Sequence, residues 1–403
     1  MPWKKSEPME ERIEFGLRAV RNENFRALCR EYGITARTGY KWRERFLHRG
    51  RAGRVEESRR PRSSPAALGE SEVCEIVRLK EAHRRWGPRK IRELYLRLHG
   101  EAASESSFKR VLERAGLTER RVRRRPVTKG GRLYSGQRGQ APNEVWTVDF
   151  KGWWYNEARE RCEPLTVRDE YTRYILELRA VENARSVTVR RVFERLFERY
   201  GLPQRIRSDN GSPFAAINAL LGLSRLSAWW VALGIDLERG RPGHPQDNGA
   251  HERLHRDISV EVEGVRGAHR QAALDLWREQ FNHERPHEAL GMRTPSELYV
   301  AAIRNYHGTP QTLEYGAMGS RKVNGCGQIH WENECYFLSR SLAGWNVGLQ
   351  SLGKAVNVWF GRLLLGQIDL SSASFLRADI RQQKTVERHE NNQQNVTEVY
   401  TMS

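Results

Sequence analysis

Apolar positions recur at helical spacing in three early stretches, Glu10 to Val20, Phe25 to Tyr32 and Thr35 to Leu47. Gly33 can turn the chain between the last two and Thr35 can cap the helix that follows, which predicts a helix-turn-helix. Its third helix would enter a DNA major groove, with Arg37, Thr38, Tyr40 and Lys41 as candidate contacts. The plainer alternative is a small helical bundle whose basic face is only solvated. A second helical group follows over 71–83, 86–99 and 104–115, with Pro88 and Ser104 as start signals and Gly100 and Gly116 as stops.

Beyond residue 143 the pattern changes. Strand-like runs at about 145–154, 162–168 and 174–181 precede a helical period from Ser186 to Tyr200. A strand at 204–208, a helix near 224–233, a strand at 235–239 and a helix carrying Glu252 come next, then a helix over 270–284. This order predicts a mixed sheet with helices on its faces, an α/β core. After about 311, short strand-like pieces alternate with glycines, and from about 377 the chain turns polar and rich in Gln and Asn, as a disordered tail would. The expected organisation is therefore 1–50 helix-turn-helix, 51–69 basic linker, 70–119 second helix-turn-helix-like domain, 120–142 basic linker, 143–305 catalytic core, 311–376 small β domain and 377–403 tail.

Charge narrows the class of partner. The 403 residues carry a formal charge of +19 and a sequence pI near 10.1, so a polyanion is expected, bound through release of its counterions. The five cysteines form no CxxC pair and read as reduced, mostly structural thiols. The opening residues lack the apolar core of a signal peptide and no run approaches a membrane span, so a cytoplasmic, DNA-associated protein is expected. Trp153, Trp154, Trp229 and Trp230 are expected to be core or interface aromatics rather than base-stacking platforms.

Three acids stand out. Asp149 sits on the buried-strand pattern 145–150, Asp209 at the end of a short strand closed by Asp-Asn-Gly, and Glu252 on the helix after a loop of prolines and glycines. Asn248, Glu252 and His255 or Arg256 share a helical face. Three carboxylates suit Mg²⁺, a hard ion that leaves positions open for water and phosphate; two such ions, with Mn²⁺ as a substitute, would clamp an in-line displacement at phosphorus.

Trp146-Thr-Val-Asp149-Phe, Arg207-Ser-Asp209-Asn-Gly and His244-Pro-Gln-Asp-Asn-Gly-Ala-His-Glu252-Arg, followed by Phe281-Asn-His-Glu-Arg-Pro-His287 and Thr294-Pro-Ser-Glu-Leu-Tyr299, resemble the DDE group of insertion-sequence transposases and retroviral-type integrases. The resemblance implies a ribonuclease-H-like core with Asp149, Asp209 and Glu252 as catalytic metal ligands. It also implies all-α helix-turn-helix domains before the core and a small β-barrel-like domain after it. Ser106, Lys109 and Arg110 become possible DNA readers in the second helical group. Asn248, Arg253, Arg285 and His287 become candidate DNA contacts near the acids. The segment from Ala215 to Leu226 is longer than in many relatives.

The expected reaction is hydrolysis of a phosphodiester at the ends of a mobile element, then transfer of the freed 3′-OH to target DNA. Two ends must be held together, so at least two protomers are expected on double-stranded DNA. Two other readings stay open here. The helix-turn-helix units would equally serve a DNA-binding regulator with a decayed core. His251-Glu-Arg-Leu-His255 also spells HExxH, the motif of zinc metalloproteases.

Overall fold

In the computed structural model the described residues are 8–21, 24–55, 68–118, 138–155, 159, 161–181, 183–240, 249–262 and 270–378. Most of both linkers, Asn248 and the tail beyond 378 lie outside the described residues. The chain divides into two compact units, Met1–Glu70 and Ser71–Ser403.

The first unit holds α1 (Pro8–Val20), α2 (Phe25–Glu31) and α3 (Ala36–Arg49) around Phe15, Leu28, Cys29, Ile34 and Trp42. Gly33 takes a positive φ of 63° in the turn, and the Thr35 hydroxyl accepts from the Thr38 amide at 3.3 Å to start α3. A Cβ on Gly39 would lie 2.5 Å from the Cys29 sulfur, so α3 approaches α2 closely only because that position is glycine.

The second unit begins with α4 (Glu70–Ala82), α5 (Pro88–His99) and α6 (Glu105–Arg114), joined through Ile76, Leu79, Ile91, Tyr95, Phe108 and Leu112, all buried. Ser104 caps α6, its hydroxyl accepting from the Ser107 amide at 3.3 Å. Arg97 of α5 reaches Glu297 at 2.8 Å and the Met292 carbonyl at 3.0 Å, tying this helical group to the core.

The core sheet contains β1 (Val145–Phe150), β2 (Trp154–Tyr155), β3 (Arg161–Asp169), β4 (Ile175–Val181), β5 (Arg205–Ser208) and β6 (Asp236–Arg239). Strands β4, β3 and β1 are antiparallel neighbours, while β1, β5 and β6 run parallel, and the short β2 pairs with β3. This is the mixed sheet of the ribonuclease-H-like fold. Alternation along β1 sends Trp146 and Val148 to a core shared with α7 (Ser186–Tyr200) and α8 (Arg225–Ala232). Thr147 and Asp149 therefore face the other side. There α9 (Gly249–Glu261) and α10 (Arg270–Glu279) bury Leu254, Ile258, Leu274 and Trp277 against Ile175 and Leu178 of β4. The helix expected over 270–284 widens into a π turn at Gln280–Glu284, where the buried Asn282 side chain bonds both backbone groups of Ile175.

Among the tryptophans, Trp229 and Trp230 are fully buried as expected, but Trp153 is 55% exposed, edge-on to Tyr155. It lies in the break between β1 and β2.

The carboxy-terminal part is a five-stranded antiparallel sheet of β7 (Gly319–Lys322), β10 (Asn346–Leu352), β11 (Ala355–Phe360), β12 (Leu363–Asp369) and β13 (Ser374–Arg377). A hairpin of β8 (Gln328–Trp331) and β9 (Glu334–Phe337) approaches β7 at one end and β13 at the other, which gives a barrel-like outline. Its core, with Val347, Val358, Phe360 and Ile368, continues into Leu220, Leu223, Ala228 and Val231. The 215–226 segment and α8 are thus the seat on which this β domain rests.

Candidate active site

Parallel pairing of β1 with β5 sets Thr147 beside Arg207, and period-two alternation carries Asp149 and Asp209 onward on the same face. Asp209 stands just past the end of β5, exposed to solvent. A Cβ on Gly211 would lie 2.9 Å from its Oδ2, so glycine there makes room for the carboxylate. Glu252, also exposed, lies in the first turn of α9.

Asp149 feels the other two carboxylates. It is pushed up to about 7, first by burial, then by the negative charge of Asp209, with Glu252 adding to it against a lowering hydrogen bond from the Phe150 backbone amide. Arg239 feels the field of Asp209, yet no salt bridge among the described residues uses Asp209 or Glu252. A hard divalent cation suits this donor set, because it prefers carboxylate oxygens.

Beneath Asp149 lies a buried polar knot. Asp149 and Thr166 are cross-strand partners, and the Thr166 hydroxyl donates to the Asp149 carbonyl at 2.9 Å. The same oxygen lies 3.0 Å from His251 Nδ1 and 3.0 Å from His255 Nε2, and His251 Nε2 is 2.8 Å from the Thr147 hydroxyl. Burial holds His251 well below the usual histidine range and brings His255 down to about 4. The Thr166 hydroxyl can accept from both rings while donating to the Asp149 carbonyl, and the Thr147 hydroxyl lies between His251 Nε2 and the Arg168 carbonyl, to which it donates at 3.4 Å.

This arrangement gives the HExxH histidines a structural role that the metalloprotease reading does not assign them. Single ligand atoms of Asp149, His251 and His255 do lie within 4.8 Å of one another. Both nitrogens of His251, however, are spent on threonine hydroxyls in a fully buried position, whereas a zinc ligand needs one free nitrogen. The HExxH spacing here ties a helix to a sheet.

The candidate DNA contacts divide by accessibility. Arg37 is exposed, and Tyr40 is 56% exposed while stacked 4.3 Å from Phe25. Thr38 is half-buried with its hydroxyl 3.0 Å from that of Thr35, and the Lys41 ammonium sits 5.0 Å over the Trp42 ring. Ser106, Lys109, Arg110 and Arg253 are exposed.

Arg285 and His287 need correction as DNA contacts. The Arg285 side chain is 11% exposed and pairs with Asp257 at 2.8 Å; His287 is buried against Phe281 and falls to about 3 through burial. Both serve the interior, where α5 brings Lys90 close to them. Thr147, Thr166 and the inward role of His251 and His255 were missed by sequence reasoning. The available signal was the period-two phase of Thr147 with Asp149 and the i,i+4 spacing of the histidines.

Residues 139–245 and 233–295 match the integrase core domain family, and residues 38–112 match a homeodomain-like domain. A 31.7 kDa protein of insertion element IS407 from Burkholderia multivorans is 31% identical over 57% of this chain and 81% of its own length. The chain belongs to the insertion-element transposases of the integrase-like group. The transposase is also 27% identical to a 39.2 kDa protein of insertion element IS476 from Xanthomonas euvesicatoria, over 63% of this chain and 71% of that one. Among solved structures, the catalytic core domain of BIV integrase is similar at 24% identity, with a TM-score of 0.31 over 39% of the transposase and 93% of that chain. No helix among the described residues is long and apolar enough to cross a membrane.

Proposed function

We propose that this transposase cuts a phosphodiester at the ends of its element and joins the freed 3′-OH to target DNA, with Asp149, Asp209 and Glu252 as the residues that hold two Mg²⁺ ions. What supports the reading is that Asp149 is pushed up to about 7 by burial and by the charges of Asp209 and Glu252, which puts both other carboxylates within electrostatic reach of Asp149. Such ions, when bound, neutralise phosphate charge and favour in-line displacement at phosphorus.

The chain's own part is placement. Thr166 and Thr147 fix His251 and His255, and these hold α9 so that Glu252 stays near the strand-borne Asp149. Gly211 leaves room for the Asp209 carboxylate, and exposed Arg253 offers a cation to a phosphate. The exposed residues of α3 and α6 supply recognition of the terminal repeats, and two or more protomers bring two ends together.

Incubating the full chain with a duplex bearing an element end, with Mg²⁺ or with EDTA, tests this. Nicking at the end only with Mg²⁺ is expected. Specific end binding without any Mg²⁺-dependent nicking would favour a regulator that has lost its chemistry.

A further inference from the structure

Beside Asp209 the core and the β domain border an open groove of about 670 Å³, lined by Ser186, by Asn210 to Pro213, by the 215–225 segment, by 337–341 and by Arg377. Its cationic side chains are Arg225, Arg340 and Arg377, all exposed, and no acidic side chain among the described residues lines it. None of the three arginines forms a salt bridge among the described residues. Two apolar side chains stand open in the same wall, Phe337 at 46% and Ile217 at 87% exposure.

Positive charge without counter-charge, interleaved with exposed apolar faces, is the composition of sites that bind single-stranded nucleic acid: arginines follow the backbone and an aromatic ring carries a base. The volume lies within the ~300–1,000 Å³ span of small-ligand pockets, so it has room for roughly one or two nucleotides. An acidic peptide would use the arginines but leave Phe337 and Ile217 idle.

We propose that this groove binds a short single-stranded DNA segment, its phosphates on Arg225, Arg340 and Arg377 and a base against Phe337. Asn210, the residue after Asp209, lines the groove, so the bound segment lies beside the turn that carries Asp209. The 215–226 segment thereby has a use: it forms one wall of the site. The inference rests on the transposase reading for its biological sense, but its binding test does not.

Fluorescence anisotropy of a labelled oligothymidylate with the full chain in EDTA provides that test. Arg340→Glu combined with Arg225→Glu should weaken binding at least tenfold. Phe337→Ala should weaken it about fivefold or more, since stacking is worth ~1–3 kcal/mol per base. Asn218→Lys, which adds a cation to the exposed rim, should tighten it. Duplex binding at the element end should change less than twofold in all of these. Unchanged oligothymidylate affinity in the arginine variant overturns the proposal; so does an unchanged Phe337→Ala, or equal competition by polyglutamate, either of which would mark a merely electrostatic surface. If the variants lose single-strand binding although the wild type never nicks DNA in Mg²⁺, the groove assignment stands and the reaction assignment falls.

Discussion

The hydroxyl of Thr166 lies 3.0 Å from Nδ1 of His251, so a residue of the second sheet strand in space fixes the helix that carries Glu252. The bond joins two stretches 85 residues apart, and its neighbour is the backbone of Asp149. The acids on sheet and helix are therefore held in one register by neutral hydrogen bonds rather than by charge.

Removing that hydroxyl should be costly. Thr166→Val keeps the shape but leaves two buried ring nitrogens and a carbonyl without a partner, for a loss of about 2–3 kcal/mol. Urea denaturation of the variant beside Thr166→Ser, which retains the hydroxyl, checks this; equal losses in the two would mean that packing of the methyl, not the bonds, matters.

His287 predicts a pH dependence. It is buried and neutral with its value lowered to about 3, against 6.5 for a free histidine. Between those values the unfolded chain binds the extra proton, so the stability from this residue is whole above pH 6.5 and is lost as pH falls towards 3. Comparing unfolding free energies at pH 6.5 and pH 5, His287→Leu should lose about 2 kcal/mol less than the wild type over that interval. Parallel losses in the two proteins would rule out the contribution.

Arg207 should be indispensable to the sheet beside Asp209. Its side chain is 7% exposed and bridges Glu170 and Glu238, the latter at 3.1 Å. Arg207→Met leaves two largely buried carboxylates facing each other and should destabilise by ~3–5 kcal/mol in chemical denaturation. Replacing both glutamates by glutamine in that background should recover part of the loss.

Much of this was legible in the chain. Asp149 and Asp209 could be assigned to strand ends because a β-branched run and an Asp-Asn-Gly turn have local signatures, and Glu252 to a helix because the residues after Gln246 suit one. The helix starts at Thr35 and Ser104 were readable for the same reason: a cap acts within one turn. Thr166 was not, since nothing local separates it from other threonines until antiparallel pairing sets it opposite Asp149. Arg285 and His287 looked like surface cations near the acids, but α5 and Phe281 cover them, a long-range fact. The 215–226 segment read only as added length, because its function as a seat depends on apolar residues more than a hundred positions later.

The central claim is that one acidic triad performs the chemistry while separate residues recognise DNA. Strand transfer from a pre-nicked element end, measured in Mg²⁺ for Asp149→Asn, Asp209→Asn and Glu252→Gln beside the wild type, tests it most directly. The account predicts product at background for each variant, with affinity for the end duplex within about twofold of wild type, since each change removes a metal-binding charge without altering size. Strand transfer by Glu252→Gln at a rate near wild type would contradict it.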